Sequence, residues 1–153
     1  PNPIERWDFS FYSEKLKNKK FAINDEILKP YFQLENVVEG VFHTAEKLYQ
    51  ITFEKREDIP KYHPDVITYQ VKDTEGNHLA VFYADFFPRP SKRNGAWMTA
   101  FVGQNKYNGI EQRPLISIVC NFTKPTPTKP SLLTFDEVTT LFHEFGHALH
   151  GIL

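Results

Sequence analysis

The sequence predicts an α+β fold, with N-terminal helices, a small mostly antiparallel sheet, and one last helix. Three observations carry this. Apolar residues recur at steps of three, four and seven over 34–49, which is helical spacing. Between 51 and 121 the chain changes to short β-branched and aromatic runs separated by turn residues. Helical spacing returns over 134–153, behind a capping signal.

In chain order, 1–50 is the helical zone. The stretch 4–19 is amphipathic and rich in aromatics. Asn24 or Asp25 can cap a short helix that Pro30 interrupts or bends. In 34–49 the stripe of Leu34, Val37, Val38, Val41, Phe42, Ala45, Leu48 and Tyr49 predicts a core-facing helix, with His43 an ordinary surface or satisfied residue. The sheet zone, 51–121, contains "VITYQV", "LAVFYADFF", "WMTAFVG" and "LISIVCN", and "ITFEKRE" adds a further strand. Asn-Gly pairs at 94–95 and 108–109 suit turns that need positive φ, so antiparallel hairpins are expected. A proline-broken loop covers 122–133. Thr134 and Glu137 then have the form of a capping box, and Gly151 reads as a C-cap.

Composition narrows the partners. With 18 basic and 19 acidic residues, the net charge of −1 gives no electrostatic reason to expect nucleic acid or an anionic membrane. One cysteine, Cys120, permits no internal disulfide. No apolar run has the length of a membrane span and no signal-peptide pattern is visible, so a cytoplasmic location is expected. The chain opens on Pro-Asn-Pro and finishes at its most strongly patterned helix. It reads as a partial catalytic domain, 1–153, of a larger protein.

His143-Glu144-Phe145-Gly146-His147 fits H-E-x-x-H. Residues i and i+4 differ by about 40° around a helix, so both imidazoles leave one face a turn apart and can meet on one ion. Glu144 lies about 100° from His143, beside the ion, where it can take a proton from water. Two neutral imidazoles and a carboxylate suit Zn²⁺. The alternative is a surface helix that happens to carry histidines. Against it stands an apolar opposite side of Phe135, Val138, Leu141, Phe142, Phe145 and Leu149. His150 lies about 10 Å along the axis from His143, poor geometry for a third ligand, and is assigned to support the site from behind. Gly146 is costly inside a helix, and a close backbone neighbour at the site would explain it. No carboxylate in the chain declares itself as the third ligand.

"LFHEFGHALHG", with "RPLISIVCNFTKP", "SLLTFDEVTTLFHEFGHALHG" and "FYADFFPRPSKRNGAWM", resembles the thimet-oligopeptidase-like zinc metallopeptidases over nearly the whole chain. The resemblance implies one zinc at His143 and His147, Glu144 as general base, and a third ligand, a glutamate, on a later helix beyond Leu153. It implies a larger, mainly helical, zincin-like body around a channel for short peptides, most closely a form that releases C-terminal dipeptides. It also gives "GAWM" a second reading. A sheet edge at Gly95 and Ala96 can hold the substrate backbone as an added strand, with Ala96 the backbone contact; the other reading is a turn entering an ordinary strand. Lys92 and Arg93 read as solvated turn residues. The competing functions are an oligopeptidase cutting internally, a non-catalytic peptide- or metal-binding module, and a scaffold. The 153-residue piece alone is expected to hydrolyse little, to hold zinc weakly or not at all, and to self-associate through exposed apolar faces.

Overall fold

A computed structural model describes residues 5–22 and 24–153; Ile4, at the start of the first expected helical stretch, lies outside them. Helix α1 spans Asp8–Phe21 but buries none of its residues, and Trp7, Phe9, Phe11, Tyr12, Leu16 and Phe21 are exposed. The described part of the expected amphipathic stretch is therefore a helix that buries no residue among the described residues. The Ile27 N–H donates to Asn24 Oδ1 (3.1 Å), so Asn24 caps α2 (Asp25–Leu28), and Pro30 lies in a 3₁₀ turn, Lys29–Tyr31. Helix α3 (Leu34–Tyr49) buries Leu34, Val37, Val38, Val41 and Ala45. Leu48 and Tyr49, expected on the buried stripe, are exposed in its last turn.

Five strands form one sheet in the order β1-β2-β3-β7-β4: β1 Thr52–Lys55, β2 Ile67–Lys72, β3 His78–Asp85, β7 Leu115–Val119 and β4 Trp97–Val102. The sheet is mixed. β1–β2, β2–β3 and β4–β7 are antiparallel, whereas β3 and β7 run parallel, with Val81 opposite Leu115 and Asp85 opposite Val119. Strand β7 inserts between β3 and β4, so Asn94-Gly95 does not close a hairpin, contrary to expectation. Asn108 (φ 50°) and Gly109 (φ 79°) do close one, as expected, joining β5 (Asn105–Tyr107) to β6 (Ile110–Gln112).

Alternation along the strands assigns the faces. Ala80, Phe82, Ala84, Ile116, Ile118 and Cys120 join the core cluster that α3 and the last helix, α4 (Phe135–Ile152), cover. Phe42 and Phe53 stack at 4.2 Å, and Phe145 of α4 meets both, as well as Phe82, at centroid distances of 5.6–5.8 Å. This cluster fixes how the last helix is rotated.

Helix α4 spans Phe135–Ile152, and its capping box is complete: Glu137 N–H donates to Thr134 Oγ1 (3.1 Å) and Thr134 N–H to Glu137 Oε2 (2.8 Å). Gly151 lies inside this helix rather than capping it. A Cβ there would stand 2.9 Å from Cδ1 of Ile116, itself wholly buried. The glycine lets the helix press onto β7. We expect Gly151→Val to lower stability by about 1–3 kcal/mol through overpacking, more than the helix gains by losing a glycine. An unchanged thermal midpoint would contradict this.

Candidate active site

The buried residues of α4 are Leu141, Glu144, Phe145, Ala148 and Ile152. Phe135 and Phe142, expected on its apolar side, are exposed. With Phe145 held in the aromatic cluster, helical geometry turns His143 and His147 outward. Their Nε2 atoms lie 3.2 Å apart and the ring planes are at 88°. Two nitrogens at about 2.0–2.1 Å from a tetrahedral zinc stand about 3.3 Å apart. The pair therefore fits half of a zinc donor set. Among the described residues no group of three His, Cys, Asp or Glu side chains completes a metal site.

Glu144 is only 9% exposed and makes no hydrogen bond among the described residues, yet it lines a cleft of about 480 Å³ with Ala96, Thr139, Thr140 and His143. A carboxylate held in place but left with free acceptor positions is suited to taking a proton from a water in that cleft. The structure thus brings Ala96, His143 and Glu144 together, with His147 one helical turn on. Gly95, next to Ala96, has φ 97°, in the left-handed region that favours glycine. His150 is exposed and makes no hydrogen bond among the described residues. Among the described residues Gly146 has no neighbour within 4 Å of the position a Cβ would take, so no close backbone among them explains it. Sequence reasoning missed Thr139 and Thr140, although they lie four and three residues before His143, a spacing that shares a helical face.

Behind the cleft, on the far face of the sheet, lies an ionic cluster. Arg89 donates twice to Asp85 (2.8 and 2.9 Å), and Lys92 Nζ donates to Asp85 Oδ1, the Asp85 carbonyl and the Phe87 carbonyl (2.8–3.0 Å). Burial by itself would raise the Asp85 carboxyl, but its bonds to Arg89 and Lys92 outweigh this and hold it below the ordinary carboxylate value. The Lys92 side chain is 2% exposed, not a solvated turn residue; Arg93, which is exposed, lies over the Trp97 ring at 4.2 Å. Burial also pushes the Cys120 thiol up to about 12, so it carries no thiolate at neutral pH.

One helix thus turns two imidazoles toward a common point, with a carboxylate beside them and a strand end across the cleft, the kind of site that metal-dependent hydrolysis uses. The chain belongs to Peptidase family M3, whose family model matches residues 2–153. It is 51% identical to the dipeptidyl carboxypeptidase of Salmonella typhimurium over 97% of this chain, and 51% identical to that of Escherichia coli over 95%. It is 44% identical to Escherichia coli oligopeptidase A over 98% of this chain. These matches cover only 21–22% of each relative, so the chain spans about a fifth of their length. Among the described residues no helix is long and apolar enough to cross a membrane.

Proposed function

We propose that this chain supplies the metal helix and one cleft wall of a zinc peptidase that releases C-terminal dipeptides from short peptides. The carrying observation is the shared cleft of Ala96, His143 and Glu144, with His147 Nε2 3.2 Å from that of His143. His143 and His147 hold the zinc, and a ligand from a segment outside these 153 residues completes the set in a larger zincin-like body. When bound, zinc supplies a Lewis acid and brings the pKa of a bound water to about 7. Glu144 takes the proton from the attacking water on a carboxylate oxygen and delivers it to the departing amine. The backbone at Gly95 and Ala96 aligns the peptide as an added strand, so that the scissile carbonyl faces Glu144. His150 supports the helix end rather than the ion.

Higher identity to two dipeptidyl carboxypeptidases, 51%, than to oligopeptidase A, 44%, supports dipeptide release. Internal cleavage is the second reading, and it rests on that 44% identity over nearly the whole chain. Mass spectrometry of products separates them. The full-length protein is expected to shorten a ten-residue peptide by successive C-terminal dipeptides; fragments of varied length from internal cuts would favour the second reading.

A further inference from the structure

The turn that carries Gly95 and Ala96 has lost its obvious support. In a hairpin, the partner strand would hold the Asn94-Gly95 backbone, but β4 pairs with β7, and β3 is not its neighbour. Asn121 stands in for the missing partner. Its Nδ2 donates to the Arg93 carbonyl (2.9 Å) and to the Gly95 carbonyl (2.8 Å). Both amide hydrogens are thus spent on carbonyls two residues apart, which curls the chain just before Ala96 enters the cleft. The amide orientation is fixed, because a flip would set Oδ1 against two carbonyl oxygens. In this orientation Oδ1 is buried without a partner among the described residues, a destabilising feature that an apolar side chain would avoid.

The anchor itself is firm. On either side of Asn121, the Cys120 N–H donates to the Asp85 carbonyl and the Phe122 N–H to the Phe86 carbonyl (both 2.8 Å). At the other end of the turn, Lys92 is tied to Asp85 and to the Phe87 carbonyl. The chain from Lys92 to Gly95 is therefore held at both ends, and Ala96 lies where the second end releases it.

We infer that Asn121 is a positioning residue for peptide binding, acting through the Arg93 and Gly95 carbonyls to set Ala96 against His143 and Glu144. This rests on the peptidase reading above. Asn121 reaches the cleft wall through the backbone it holds, the carbonyls of Arg93 and Gly95.

The test uses the full-length protein, with Asn121→Ala, the isosteric Asn121→Asp, and Glu144→Gln beside them. Two hydrogen bonds of ordinary net strength correspond to about a tenfold effect or more. Both Asn121 variants should raise KM for an oligopeptide about tenfold, with kcat changed less and zinc content unchanged. A set of peptides N-methylated at one residue at a time adds a readout that a merely structural role would not move. The methylation that most weakens wild-type binding should weaken the Asn121 variants far less, because the strand contact it blocks is already loose. Equal methylation penalties in both, an unchanged KM, or a KM effect that appears only with loss of zinc would overturn the positioning role. A wild-type protein that cleaves no peptide would instead overturn the peptidase reading beneath it, and a Glu144→Gln protein of normal activity would overturn the role of Glu144 as its base.

Discussion

Replacing Glu144 by glutamine in the full-length protein should lower kcat by about 10²–10⁴-fold, the usual contribution of a positioned general base. Glutamine keeps the shape and polarity of the side chain but cannot accept the proton. Glu144 is fit for the role because the fold buries it to 9% exposure without giving its carboxylate a hydrogen-bond partner among the described residues. Peptide turnover at matched zinc content is the measurement, and activity within tenfold of wild type would count against the assignment.

The second large effect is on stability and lies behind the cleft. Asp85→Ala should cost about 3–5 kcal/mol, because it leaves the Lys92 ammonium buried at 2% side-chain exposure without its counter-charge. Adding Lys92→Met should recover a large part of the loss, since the penalty comes from the uncompensated charge more than from a net gain in the pair. The pH dependence follows from the direction of the Asp85 shift. Its carboxyl is held below the ordinary value of 3.8 in the folded chain, with Arg89, Lys92 and the Tyr62 hydroxyl facing it. Its contribution is therefore present above that ordinary value and is lost as pH falls through the lower folded one. Asp85→Asn should flatten this acid limb. Thermal unfolding across acidic pH is the check, and an unaltered limb would contradict it.

Local signals were legible and distant ones were not. The boundaries of α3 and the start of α4 follow from periodicity and a capping box, which are properties of neighbours in sequence. The outward pairing of His143 and His147 follows from i, i+4 spacing for the same reason. By contrast, the order of β7 between β3 and β4 depends on which strand buries its faces best, and no short motif states that. That insertion also hides Asn121, whose partners are 26 and 28 residues away, and the burial of Lys92, whose "PSKRNG" surroundings look like solvated turn chemistry. Residue type alone puts Phe135 and Phe142 on the apolar side, whereas the aromatic cluster on Phe145 sets the rotation of α4 and leaves both outside. Gly151 looked like a helix end because glycine often is one, but packing against Ile116 accounts for it here.

The central claim is that α4 provides two ligands and a separate base, and metal analysis of three purified full-length proteins tests it most directly. Wild type and Glu144→Gln should each carry about one zinc per chain, in line with a single donor set, while His147→Ala should lose both zinc and activity. A His147→Ala protein that retains zinc and still cleaves peptides would contradict the account.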